Sequence, residues 1–428
     1  MSVVMDLFKT ICSLPHCSRQ AESLKEYIIK QAKAYGYDVK TDKVGNILCS
    51  HPDATLILQA HYDMVCIGEA PRLELYEEAG RLRAKNSSLG ADNGIGMAMM
   101  LSLMSEKKTI SCLFTADEEV GLIGAQGIEL PIKEKLMLNL DTEEEGHVYI
   151  GCAGGSDVIS TKAVHRLAID EEVDTYEIIV DDLPGGHSGV DIDKNIPSAI
   201  KMLASFLVHI PHYLIEIEGG ERRNSIPKRA RAVVSVPSGV ILDTKLSNIT
   251  INRVKDCEKM MLAQGHKIIE MIHAFAQGVR AFNPELGIVQ NSINLALIET
   301  NEKEVKVSLS ARSMDSEELL VLVDETVCFF RAFDFMAKSE GTYPAWKPEV
   351  NPFAVRVQEV CQRHFEKADF TAIHAGLECA ILKQYAPHLD IASIGPNIYD
   401  THSSRESVEI ASVERVYSAL QENVKECS

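Results

Sequence analysis

The stretch Thr55-Leu56-Ile57-Leu58-Gln59-Ala60-His61-Tyr62-Asp63 is a short apolar run that ends on an imidazole and a carboxylate. Two further runs have the same form: residues 110–116 lead into Asp117-Glu118-Glu119, and residues 136–140 lead into Asp141. A late run, residues 389–394, precedes a loop that carries His402. Apolar runs of this length, bounded by turn residues, predict buried strands. Between the first two, Gly90-Ala91-Asp92-Asn93-Gly94 opens a stretch rich in Met and Ala, residues 94–104, that predicts a buried helix. Strands separated by helices predict a mostly parallel sheet covered on both faces. In such a sheet ligands bind beyond the carboxyl ends of the strands. Here several separate strand ends deliver a histidine or a carboxylate to that edge.

Outward from this centre, residues 22–35 predict an amphipathic helix stopped by Gly36. The middle of the chain changes character. Residues 176–180, 213–217, 231–236 and 305–311 predict strands, while 196–209, with Pro197 at its start, and 256–275 predict helices. The order β-α-β-β-α-β resembles a ferredoxin-like module. After Trp346 an α/β pattern returns, with a helix over 351–365 before the strand at 389–394. At 428 residues the chain exceeds one ordinary domain. The expected organisation is a discontinuous domain of residues 1–156 and 344–428, with residues 157–343 inserted as a second, α+β domain.

Composition removes several function classes. Acidic residues outnumber basic ones 62 to 43, for a formal net charge of −19. Nucleic acid is not the expected partner, because phosphate binding needs clustered Lys and Arg. An acidic balance suits a protein that gathers metal cations. The 11 cysteines are scattered, with no C-x-x-C pair. This argues against a disulfide framework and a thiolate zinc site, and predicts reduced, mostly buried thiols in a cytoplasmic protein. The N-terminal residues show no signal-peptide pattern. No apolar run approaches the ~20 residues that span a bilayer, so no membrane association is expected.

Each strand-end residue has an ordinary reading by itself: His61 as a hydrogen-bonded loop residue, Asp92 as a helix cap, the Glu118-Glu119 pair as solvated surface. Their joint placement changes the odds, because so much negative charge in one place repels itself unless cations are bound. Two histidines with several carboxylates and no thiolate suit zinc, with manganese or cobalt as alternative occupants. The excess of carboxylates points to two ions about 3.5–4 Å apart, sharing a carboxylate and a water. In His61-x-Asp63 both side chains fall on one face of an extended strand, so Asp63 is placed to orient the imidazole. Of Glu118 and Glu119, one is expected to ligate and the other to act as general base.

The set His61-x-Asp63, Gly90-Ala91-Asp92-Asn93-Gly94, Asp117-Glu118-Glu119, Asn139-Leu140-Asp141 and His402 resembles the M20 zinc peptidases, in particular their aminoacyl-histidine (Xaa-His) dipeptidase branch. Residues 151–155 (Gly-Cys-Ala-Gly-Gly), 183–189 (Leu-Pro-Gly-Gly-His-Ser-Gly), 373–379 (Ile-His-Ala-Gly-Leu-Glu-Cys) and 393–396 (Ser-Ile-Gly-Pro) share the likeness, which runs over nearly the whole chain. The resemblance implies the zinc-peptidase fold, with the inserted domain serving as lid and dimer interface. It implies two zinc ions per subunit: His61 and Asp141 on one, Glu119 and His402 on the other, and Asp92 bridging. The peptide bond after Asp92 is expected to be cis. Glu118 becomes the base that activates the bridging water, and His187 the oxyanion stabiliser. Arg312 and Asn224 are expected to bind substrate, with Gly376 and Glu378 lining the same pocket. A guanidinium suits a peptide carboxylate through two parallel hydrogen bonds.

The implied activity is hydrolysis of small dipeptides with a free amino terminus. Asp141 carries that preference, since a Glu at its position accompanies acylated substrates in the family. The rivals are an N-acyl amino acid deacylase, an inactive scaffold that kept the fold, and a metal store. Retention of Glu118 with every proposed ligand speaks against the scaffold, and a single base beside a ligand with a separate Arg312 for a carboxylate does not fit a store. Departures from the family pattern are Ser404 where Pro is usual, Ala380 where Gly is usual, and a shorter chain that predicts a trimmed insertion.

Overall fold

The computed structural model describes residues 3–255 and 259–427. The chain divides into two compact units, one of residues 1–152, 346–372 and 377–428, the other of residues 153–345 and 373–376. The expected cut at 156/157 falls inside a strand, Gly154–Ala163, that belongs wholly to the second unit. The short return over 373–376 was not anticipated.

The first unit is built on an eight-stranded sheet. Its centre is four strands in the order Ser111–Thr115, Leu56–His61, Leu136–Asn139, Asp390–Ser393, each parallel to its neighbour. Antiparallel strands flank them: Ile47–Ser50 pairs with Ser111–Thr115, and His147–Cys152 with Asp390–Ser393. All six residues of Leu56–His61 are buried, as expected of a strand covered on both faces. The pleat then sorts its side chains. Leu56, Leu58 and Ala60 join Cys112, Phe114 and Leu138 in the main apolar core, with Phe8, Ile28, Met100, Phe353 and Val416 from the covering helices. Gln59, Thr115 and Asn139 fall on the alternate positions and meet in a polar cluster on the other face.

Helix Ala91–Ser105 is buried almost throughout, so its apolar residues recur on every side rather than in one stripe. Helix Glu22–Tyr35 has the bounds its periodicity predicts. Gly36, at φ 95°, closes it by donating to the carbonyls of Ala32 and Lys33.

Cys17 and Cys66 form a disulfide with Cα atoms 5.5 Å apart, which corrects the expectation of reduced thiols throughout. Sequence spacing held no sign of it. Residues 16–18 and 63–66 meet only in the folded chain, where Met64 N–H donates to the His16 carbonyl at 3.0 Å and Ser18 N–H to the Met64 carbonyl at 3.2 Å.

The second unit carries a nine-stranded sheet, whose path begins Ile249–Val254, Val173–Val180, Ala230–Pro237, Tyr213–Gly219 and continues through Ile288–Thr300, Glu304–Ser313, Gly154–Ala163 and Met336–Tyr343. Every pairing along it is antiparallel. Helices Ala199–Leu207, Gly265–Ala274 and Ser316–Ala332 share one apolar core with it. The sheet is larger than the ferredoxin-like module expected. Several added strands are largely exposed, without a regular buried alternation, and this weakens their sequence signal. The helix expected over 256–275 is shorter: Met260–Leu262 is a strand, the helix is Gly265–Ala274, and residues 256–258 lie outside the described residues. Among the described residues, no helix is long and apolar enough to cross a membrane.

Candidate metal centre

The four parallel strands end at one edge, and the loops beyond them bring the expected ligands together. His61 closes its strand fully buried. Its Nε2 lies 3.0 Å from Asp92 Oδ1 and 3.3 Å from Asp141 Oδ1. His402 Nε2 lies 2.9 Å from the Glu119 carboxylate and 3.2 Å from Asp92 Oδ2. Two groups of donor atoms result, each within 4.8 Å: His61, Asp92 and Asp141, then Asp92, Glu119 and His402. Asp92 is common to both. A third group joins His61, Glu118 and Glu119.

The electrostatics of this cluster favour cations. Burial opposes charge on His61, yet Asp141, Asp63 and Asp92 pull its pKa well above the ordinary value. His402 is likewise pushed up to about 11, burial opposing and Asp92 and Glu119 prevailing. Burial and the neighbouring Glu119 raise Glu118 well above the usual carboxylate range. Burial and Asp92 raise Glu119 to about 7. A site that draws protons onto both imidazoles and onto Glu118 and Glu119 is short of positive charge, and divalent ions supply it. With one nitrogen of each imidazole facing several carboxylate oxygens, the donor set fits divalent metal ions.

Asp63 acts differently from its sequence reading. The His61 Nδ1 hydrogen bond, at 3.0 Å, goes to the Asp63 backbone carbonyl, and the carboxylate stands at 3.5 Å. The carboxylate instead collects Ser18 Oγ–H at 2.7 Å, Glu118 N–H at 2.9 Å and Glu119 N–H at 3.4 Å. One residue thereby orients the imidazole and the backbone of the Glu118-Glu119 turn. The strand stops at His61, so Asp63 lies beyond the strand that alternation assumed.

Other supports were missed by sequence reading. Glu406 is buried beneath the turn before Asp92 and accepts Leu89 N–H and Ala91 N–H, both at 2.8 Å. Asn93 follows a cis peptide bond after Asp92 and donates through Nδ2 to the Leu140 carbonyl at 2.9 Å and to the Asp141 carboxylate. Buried polar residues beside the apolar runs were their only signal.

Glu378, expected to line a substrate pocket, is wholly buried in the first unit. Its Oε2 accepts from Gln59 Nε2 at 2.7 Å and from Thr115 Oγ1 at 2.5 Å. Gln59 Oε1 in turn accepts from Asn139 Nδ2 at 2.5 Å, and Asn139 Oδ1 from Asp141 N–H at 3.1 Å. Glu378 therefore braces the strand ends from beneath. The apolar Leu377 and Cys379 beside it gave no hint of this polar face.

In the second unit, His187 pairs through its short strand with Ser225, and Ser188 N–H donates to the Asn224 carbonyl at 2.8 Å. Gly189 N–H and Val190 N–H both point at His187 Nδ1, at 3.2 and 3.3 Å. Nδ1 is thus the acceptor, and the neutral ring carries its proton on Nε2. Arg312 is buried, with Nη1 3.2 Å from Tyr343 Oη and Nε without a hydrogen-bond partner among the described residues. A guanidinium nitrogen left so is an unmet demand for an acceptor. Gly376, expected in the substrate pocket, makes room for Tyr343: a Cβ there would stand 2.9 Å from its ring.

A twisted α/β sheet with paired histidine and carboxylate groups at its carboxyl edge defines a metallohydrolase. The chain matches Peptidase family M20/M25/M40 over residues 57–426 and belongs to that family. It is 32% identical to the cytosol non-specific dipeptidase of Escherichia coli (strain K12), covering 98% of this chain and 96% of that one. It also resembles the crystal structure of aminoacylhistidine dipeptidase from Vibrio alginolyticus, with a TM-score of 0.82 at 30% identity over 99% of this chain and 96% of that one. A Staphylococcus aureus tripeptidase shares the fold, at a TM-score of 0.60 and 17% identity, covering 99% of this chain and 98% of that one. The chain is therefore a peptide-bond hydrolase of the M20 family.

Proposed function

We propose that this peptidase is a dinuclear zinc dipeptidase acting on dipeptides with a free amino terminus, Xaa-His among them, with a broad side-chain preference. The observation that carries the reading is the pair of donor groups sharing Asp92. In this reading His61 and Asp141 would hold one ion, Glu119 and His402 the other, and Asp92 would serve both. Bound zinc supplies an electrophile for the scissile carbonyl and lowers the pKa of water.

The protein groups do the rest. Glu118 takes the proton of the attacking water and passes it to the leaving amine, a role that suits a partly buried carboxylate beside the metal-binding donor groups. Asp63 holds His61 and the backbone of Glu118 in register. His187, with its proton on Nε2, donates to the developing oxyanion. Arg312 takes the peptide carboxylate, with Asn224 beside it as a further substrate contact. The two named relatives, a dipeptidase and an aminoacylhistidine dipeptidase, support the substrate class. The exposed outer strand Met336–Tyr343 offers an edge through which two copies pair as a homodimer, which light scattering would detect.

The test compares an unblocked dipeptide with its N-acetylated form, each with zinc and after chelation. Cleavage of the free dipeptide alone, abolished by chelation and restored by zinc, is expected. Cleavage of the acetylated form alone would overturn the Asp141 argument and make the chain a deacylase.

A further inference from the structure

We propose that the Cys17–Cys66 pair is a thiol–disulfide modification site that sets the working geometry of the metal centre. The inference rests on the metal-centre reading above and adds a device to it. Both cysteines are partly exposed, so an external thiolate can reach the bond.

The disulfide stands where two strips of chain brace the site. The strip carrying Cys17 continues into Ser18, whose hydroxyl donates to Asp63 at 2.7 Å, and into Arg19, whose N–H donates to Asp117 at 2.5 Å. Asp117 immediately precedes Glu118 and Glu119. The strip carrying Cys66 is tied to Ser88: Ile67 N–H donates to its Oγ at 3.0 Å, and that Oγ donates to the Val65 carbonyl at 2.6 Å. Ser88 leads through Leu89 and Ala91, held by Glu406, into Asp92. One covalent bond therefore joins the support of the Glu118-Glu119 turn to the support of the bridging carboxylate.

Reduction is a two-electron exchange. A thiolate of a dithiol reductant attacks one sulfur, and the other leaves as a thiolate that takes up a proton. The second thiol of the reductant then resolves the mixed disulfide. The reductant leaves as a disulfide, and Cys17 and Cys66 become thiols. Bonded sulfurs sit about 2 Å apart, whereas unbonded ones need roughly 3.5 Å or more, so the two side chains turn apart and the strips stay tied by hydrogen bonds alone, the Met64–His16 and Ser18–Met64 backbone bonds among them. Ser18 is one residue from Cys17, so a strip freed of its covalent tie holds the Ser18 hydroxyl less firmly against Asp63. The oxidised chain is the well-ordered centre, and the reduced chain a looser one. Substrate-carboxylate binding through Arg312 lies outside the strips, so kcat should change more than KM.

The experiment uses the full zinc-loaded chain. Alkylation in denaturant followed by peptide mapping should leave Cys17 and Cys66 unmodified until a phosphine reductant is added. Reduction should lower kcat by roughly threefold to tenfold, below the ~10–100-fold of deleting an outer-shell partner outright. It should also speed zinc release to a colorimetric chelator, and oxidised glutathione should reverse both changes. C17S/C66S should match the reduced wild type and ignore the reductant. Both thiols staying free under oxidised glutathione would overturn the proposal. So would quantitative reduction with kcat and zinc release unchanged, or a C17S/C66S chain that still responds. The wild-type arm stands even where the double variant fails to fold. Thiol mapping and zinc release need no peptide, so a chain that passes both yet cleaves no dipeptide would sink the dipeptidase reading and not this one.

Discussion

Replacing Glu378 by glutamine should remove a pH-dependent loss of stability. The Glu378 carboxyl is fully enclosed, and burial pushes its pKa up to about 8, from an ordinary 4.5, with the Asp141 and Asp63 carboxylates adding to burial and His61 and Thr115 opposing it. In the folded chain the carboxyl keeps its proton up to about pH 8. In the unfolded chain it releases the proton near pH 4.5. Between these values the folded state binds more protons, so stability falls as pH rises across the window. Each pH unit is worth about 1.4 kcal/mol, and the span of roughly 3.5 units sets an upper bound near 5 kcal/mol above pH 8. Glutamine has the shape of the protonated acid and keeps an acceptor for Gln59 and Thr115. E378Q should therefore match wild type near pH 5 and exceed its stability at pH 9 by a large part of that bound. The assay is urea unfolding of the metal-free chain, followed by the fluorescence of Trp346, the single tryptophan, which is buried in the same unit. Parallel pH profiles for wild type and E378Q would refute the reasoning.

Three further outcomes are expected. E118Q should lose about 10²–10⁴-fold in kcat, the usual scale of a general base, while KM and the zinc content read by atomic spectroscopy stay near wild type. D92N should bind fewer than two zinc ions per chain by the same spectroscopy, because the shared carboxylate serves both donor groups. R312K should raise KM for a dipeptide by about tenfold or more and leave its C-terminal amide little affected, since a lysine cannot reproduce the two-point contact with a carboxylate. Equal effects on acid and amide would remove Arg312 from carboxylate recognition.

Much of the candidate centre was legible because its residues lie at the ends of strong local signals. Buried parallel strands read as apolar runs whether or not their neighbours are known, and His61, Glu118, Glu119 and Asp141 stand just past those runs. The second unit was less legible. Strands such as Ile249–Val254 and Gly278–Asn283 are half exposed, so their alternation is mixed and their register depends on distant partners. Glu378 was not legible for a related reason: the residues adjoining it give no sign that Gln59 and Thr115 meet it, with Asn139 behind Gln59, from three separate strands.

Local sequence determined which residues reach the candidate centre, because strand and helix periodicities act over a few residues and the donor atoms belong to the residues themselves. Tertiary structure alone decided how they are held. Asp63 receives Ser18, Glu118 and Glu119 from separate segments, Glu406 reaches back under the turn before Asp92, and Cys17 finds Cys66 across 49 residues. These contacts depend on where the chain returns in space, which is set by packing of the whole core and not by the residues adjoining each one.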